Sequence, residues 1–207
     1  MIEFKIGKQK VSIPTDWSEL TLSQAIGLAD NKDGDIIRTI SIITGLDYEI
    51  CYRLRSGDVE ALLVPCLTFL NESFDQDRIN DAKPPDTFTI NGKTFSKYYS
   101  PGAMIYAQHL NLQALIAETN KRDIDKLAPC IAICCQKPET YNEDEQKRLE
   151  NGAGWLPIYT AYSIAVFFFA QWQTFSNLQN SRQNLTTLMS RFGRASKSSP
   201  NLAHSIP

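Results

Sequence analysis

The chain has 207 residues, of which 43% are hydrophobic and 21% charged. That composition excludes an intrinsically disordered chain, a collagen-like repeat and a disulfide miniprotein. The 21 Lys+Arg against 23 Asp+Glu leave a net charge of −2, which by itself favours no class of partner. The charge is unevenly spread, however. From Gln171 to Pro207 there are Arg182, Arg191, Arg194 and Lys197 and no acid, so this stretch carries +4 and the preceding part −6. Such a tail suits an acidic surface on a neighbouring copy or nucleic acid, or is simply a solvated terminus.

The first residues alternate: Ile2, Phe4 and Ile6 precede Gly7-Lys8, and Val11 and Ile13 follow. A period of two on both arms predicts a β-hairpin, closed by Pro14. An acid at position 3 and this alternation do not fit an export signal. With that, the odd count of five cysteines reads as reduced thiols in a cytoplasmic protein. Thr21 to Gln24 has the spacing of a capping box, opening a helix with Leu22, Ala25, Ile26 and Ala29 on one face. A second helix is predicted from Asp35 to Thr44, stopped by Gly45. Two more follow, Tyr48 to Leu54 and then Asp58 to Leu70 with Asp58 as its cap.

Residues 71–86, with Asp75, Asp77, Asp81 and Pro84-Pro85, form the expected linker. The pattern then restarts. Phe88 to Phe95 surround Asn91-Gly92, the pair that supplies the positive φ of a type I′ hairpin turn. Ser100-Pro101-Gly102 reads as a helix start. Further helices are predicted over Ile124 to Cys135, over Asn142 to Asn151 with Asn142 and Glu145 as caps, and over Pro157 to Leu188. The organisation is a hairpin-helical unit at 1–70, a linker, a second such unit at 87–190 and an extended basic tail at 191–207. Phe4 and Phe88 are 84 positions apart, as are Gln24 and Gln108, and the order of elements matches too. The fold expected is α+β and mainly helical, internally duplicated, with the two hairpins combining into one four-stranded antiparallel sheet or remaining apart.

Catalytic and metal chemistry find little support. Cys130 and Cys134 lie one helical turn apart, but the remaining candidates, His109, His204, Cys51 and Cys66, lack ligand spacing, and apolar neighbours favour core packing. No G-x-S-x-G, P-loop or G-x-G-x-x-G is present. No catalytic residue, metal or cofactor is expected. Residues 151–181 carry no charge, but the strongly apolar part, Ile164 to Ala170, is far short of the ~20 residues of a membrane span. It reads as a buried helix whose excess apolar surface meets a partner. Trp17, Phe167, Phe168 and Trp172 are the expected partner-binding residues of the body, and Arg191, Phe192 and Arg194 those of the tail.

The words Ile13-Pro14-Thr15-Asp16-Trp17-Ser18-Glu19-Leu20-Thr21-Leu22-Ser23-Gln24 and Ile40-Ser41-Ile42-Ile43-Thr44-Gly45-Leu46 resemble those of small proteins from tailed bacteriophages, crAss-like phages among them. The second-half Ile90-Asn91-Gly92-Lys93 and the run Phe167-Phe168-Phe169 continue the resemblance. It implies a non-enzymatic virion component, a ring or adaptor protein at the portal–tail junction, assembled in the host cytoplasm. The implied partners are copies of itself in a ring and portal or tail components, with nucleic acid reached only through the basic tail and no membrane. Two alternatives stay open: a tail assembly chaperone binding the tape measure protein, and a membrane-attached protein using the Phe-rich helix.

Overall fold

The computed structural model describes residues 1–6, 9–70, 83–97, 101–120 and 122–195. Strand β1 (Ile2–Ile6) pairs antiparallel with β2 (Gln9–Ile13), with Phe4 opposite Val11. A single 3-10 turn, Trp17–Glu19, is opened by the Asp16 carboxylate, which accepts from the Ser18 N–H. Helix α1 (Leu22–Asp30) has the complete capping box: Thr21 Oγ1 accepts from the Gln24 N–H, and Gln24 Oε1 accepts from the Thr21 N–H. Helix α2 (Ile36–Thr44) runs from its Asp35 cap to Gly45, whose φ of 70° closes it in the left-handed region. Then come α3 (Tyr48–Tyr52) and α4 (Ser56–Leu70). The Asp58 and Val59 N–H groups both donate to the Arg55 carbonyl. Asp58, expected as the cap, therefore sits within the first turn, where its charge favours the positive end of the helix.

The second half opens with β3 (Thr87–Ile90) and β4 (Lys93–Ser96), joined through Asn91 (φ 50°) and Gly92 (φ 76°). Pro101–Ala103 is a 3-10 turn, and helix α5 (Tyr106–Ala117) begins only after it, later than Ser100-Pro101-Gly102 suggested. Helices α6 (Asp123–Cys135), α7 (Glu143–Ala153) and α8 (Ile158–Ala195) complete the described chain. Asn142 caps α7 by accepting from the Glu145 N–H, whereas the Glu145 carboxylate turns away to Arg148 and Lys93. Only half of that capping device is present.

The two halves repeat one another closely. Phe4 faces Val11 as Phe88 faces Phe95, and Ile6 faces Gln9 as Ile90 faces Lys93. Each pair moves by the same 84 positions, and so do the 3-10 turn, the starts of α1 and α5, and Gln24 and Gln108. Each glutamine also reaches out of its helix in the same way. Gln24 Nε2 donates to the Ile43 carbonyl, and Gln108 Nε2 to the carbonyls of Ile133 and Gln136. In both halves the first long helix thus caps the C-terminal carbonyls of the next, groups that a helix leaves unsatisfied.

The hairpins form two separate two-stranded sheets, so the four-stranded alternative is corrected. Each hairpin is engaged by the helices of its own half. β1 and β2 pack against α4 and β2 also against α2, while β3 packs against α7, and the Phe88 ring lies 6.4 Å from that of Phe168 on α8. A short clasp joins the halves, beside the Arg122–Asp30 ion pair at 2.8 Å and Ile124 of α6, which packs on the core of the first half. The Leu22 and Ser23 N–H groups donate to the carbonyls of Leu156 and Gly154, and the Ile158 N–H donates to the Leu20 carbonyl, each at 2.9 Å. The segment between α7 and α8 thereby pairs antiparallel with the entry to α1, with Thr21 opposite Pro157. Ile158 continues into the core of the first half beside Leu20, Ile40 and Phe69.

The chain divides into compact units at Met1–Phe169 and Ala170–Pro207. Both hairpins and α1 to α7 belong to the first. The expected linker lies, from 71 to 82, outside the described residues. The helix α8 extends to Ala195, so the tail expected from 191 is helical in its first residues, and 196–207 lie outside the described part.

Candidate interaction surface

The predicted partner-binding residues divide by environment. Trp17 is half-buried: its indole N–H donates to the Phe69 carbonyl at 2.9 Å, and its ring meets that of Phe69 edge-on at 5.6 Å. This tryptophan fixes the 3-10 turn onto α4 and is spent on packing. Phe168 is fully buried beneath the second hairpin, which corrects its assignment to a partner surface. Phe167 is half-buried, with the Lys97 ammonium 5.8 Å from its ring centre. Trp172, in the second compact unit, is half-buried. Arg191, Phe192 and Arg194 lie on the helical course of α8, and their side chains fall outside the described residues.

The cysteines are packed. Cys51, Cys66, Cys130 and Cys134 are buried and Cys135 is half-buried. Burial pushes the Cys66 thiol up to about 11 and holds those of Cys130 and Cys135 well above the ordinary thiol range. Thiolates, the nucleophilic and metal-binding form, are disfavoured there. No cluster of three or more His, Cys, Asp or Glu placed to hold a metal occurs among the described residues. The clearest charged contact is structural. Glu145 is held by Arg148 through two bonds of 2.6 Å, with Lys93 of β4 at 3.5 Å, and the Arg148 pairing lowers its pKa to about 2. Together with Asn91 Nδ2 donating to the Arg148 carbonyl, this ties the second hairpin to α7.

Two recesses open on the first unit. One of about 720 Å³ lies among α5, α6 and α7, with Leu115 and Ile133 at its base and Glu118, Glu143, Lys147 and Glu150 around it. The other, about 620 Å³, is apolar and bounded by Trp17, Leu28, Leu70, Ile124 and Ile158. Neither gathers a nucleophile with a base.

Large apolar side chains reach solvent at several places, Trp155 and Val64 among them, and two groups of them include tyrosines. On α3, Tyr48 and Tyr52 stack with ring centres 6.4 Å apart and planes 17° apart, and Tyr52 is 67% exposed. The Tyr48 hydroxyl donates to the Asp35 carboxylate, which raises its pKa. On α5, Tyr106 is 76% exposed, with Ile105 and Leu110 also open. Sequence reading missed both places, because a helical tyrosine looks the same whether it packs or protrudes. The available signal was the comparison of halves: Tyr106 stands where the first half has Leu22, which is completely buried.

No family model matches the chain, and neither a curated protein nor a solved structure shows significant similarity to it.

Proposed function

We propose that this protein is a non-enzymatic structural subunit of a tailed-phage virion, a ring or adaptor protein at the portal–tail junction that works through protein–protein contacts. The observation carrying the reading is the word Trp17-Ser18-Glu19-Leu20-Thr21-Leu22, together with the second-half hairpin word Ile90-Asn91-Gly92-Lys93. The site chemistry is in keeping with it. Solvent-facing aromatics lie on α3 and α5, tyrosine being a favoured anchor of protein interfaces, and burial favours the neutral thiol at Cys51, Cys66, Cys130 and Cys135. Among the described residues no helix is long and apolar enough to cross a membrane.

A structural subunit stays in the finished particle, whereas a tail assembly chaperone leaves. Mass spectrometry of purified particles from a phage carrying this gene is expected to recover the chain at a stoichiometry comparable to other ring components. Its presence in infected lysate but absence from particles would move the assignment to the chaperone.

A further inference from the structure

The clasp that joins the halves has a receiving (acceptor) segment, the entry to α1 with two N–H groups and one carbonyl, and an inserted (donor) segment, the α7–α8 junction with two carbonyls and one N–H, and each half contains both. On the acceptor side, the shift of 84 turns Leu20, Leu22 and Ser23 into Met104, Tyr106 and Ala107. On the donor side the correspondence is equally close, at a shift of 102. The bonds Trp155 N–H to Gly152, Leu156 N–H to Ala153 and Ala161 N–H to Pro157 reappear as Arg53 to Ile50, Leu54 to Cys51 and Val59 to Arg55. The junction between α3 and α4 therefore has the backbone form of the junction between α7 and α8.

Within one chain only half of these surfaces are used. The second half's donor covers the first half's acceptor. The first half's donor, Tyr52 to Ser56, is exposed apart from a half-buried Leu54, and the second half's acceptor leaves Tyr106 76% exposed. Among the described residues the Tyr106 and Ala107 N–H groups and the Tyr52 and Leu54 carbonyls have no backbone partner. We propose that these two open surfaces meet between copies of this chain: the α3–α4 junction of one copy clasps the start of α5 of the next.

The side chains are adapted to the exchange. A Cβ on Gly154 would lie 2.2 Å from Ser23 Oγ, 3.2 Å from the Asn151 carbonyl oxygen and 3.6 Å from Ser23 Cβ, so a larger residue in the in-chain donor would have to turn the serine hydroxyl away. Between copies the donor is Tyr52 and the acceptor Ala107, which has no Oγ. The 3.6 Å separation is then an ordinary contact for the Cβ of Tyr52. The contact is heterologous: each copy offers a different surface on its two sides, so it generates a ring when the rotation closes and a filament when it does not. This deepens the self-assembly part of the function proposed above, on which it rests, and uses nothing of its viral setting.

The test uses two variants of the full chain. Tyr106→Pro removes one N–H of the receiving segment at the first helical position, where proline is well tolerated and the preceding Ile105 is already extended. Tyr106→Glu keeps the N–H but places a carboxylate in the contact, where burying an unpaired charge is costly, and is used if the proline variant does not fold. Tyr52→Glu leaves the backbone carbonyl in place and puts an unpaired carboxylate into the same contact from the other side. Sedimentation velocity is expected to show concentration-dependent association of the unaltered chain, weakened at least about tenfold in either variant, an effect in the range of one or two lost interface contacts. An equimolar mixture of the two variants is expected to form a dimer and stop there, because one intact donor meets one intact acceptor. If the unaltered chain associates and the variants associate as well, this surface is wrong and self-assembly stands. If the unaltered chain is monomeric at every concentration, both fall. A mixture that stays monomeric while the unaltered chain assembles overturns the head-to-tail geometry.

Discussion

Glycines at 152 and 57 both lie in helices, where alanine is ordinarily the better residue by about 1 kcal/mol, yet their surroundings give opposite outcomes. A Cβ at Gly152 would come within 2.5 Å of Ile90 Cγ2 and Asn91 Nδ2. Ile90 is buried and fixed in β3, and Asn91 is committed to the Arg148 carbonyl. Neither moves without breaking the contact between hairpin and helix. Gly152→Ala is therefore expected to destabilise by about 1–3 kcal/mol, as overpacking of a close contact does. Gly57 has nothing within 4 Å of its would-be Cβ, and Gly57→Ala is expected to stabilise by up to about 1 kcal/mol. Urea unfolding of the two variants measures the signs. A stabilised Gly152→Ala would mean that the hairpin does not hold α7 as described.

Between helices, the two glutamines do the same job to different depths. Gln108 is 1% exposed and makes three bonds, accepting from the Ile105 N–H and donating to two carbonyls at the end of α6. Gln24 is half-buried and donates to one. Replacing Gln108 by leucine keeps the bulk but strands three polar groups, and each buried unsatisfied group costs about 1–3 kcal/mol. Gln108→Leu is expected to lower stability more than Gln24→Leu, by at least about 1 kcal/mol in denaturant titration; equal effects would contradict the reading. Isoleucine at position 105 has no acceptor for the Gln108 N–H, so unlike Thr21 it leaves the second box half-made. These local devices were legible in the sequence, since each is made by residues close along the chain: the Asp35 cap and the Gly45 stop at the two ends of α2, Thr21 with Gln24, and the turn pair Asn91-Gly92. Where a single local signal misled, as at Pro101 and Asp58, a 3-10 turn or an earlier first bond shifted the start of the helix.

At the scale of the molecule, the shift of 84 was visible from Phe4, Phe88, Gln24 and Gln108, and the hairpin registers follow it pair by pair. How the halves join was not legible. The clasp is made of backbone groups at Leu20 to Ser23 and Gly154 to Ile158, which carry no sequence signature and lie more than 130 positions apart. The burial of Phe168 was hidden for a related reason: a run of phenylalanines states apolarity, and only the seat of the second hairpin decides which ring it covers. The protein consists of two copies of one unit, the proposal repeats their in-chain joint between molecules, and a cross-link from the open start of α5 tests that most directly. A photoreactive phenylalanine analogue at position 106, in a mixture of isotopically heavy and light full-length chains, is expected to capture a peptide containing Tyr52 to Ser56 with mixed heavy–light labels. Capture confined to the same chain, or of a different region of the second copy, would contradict it.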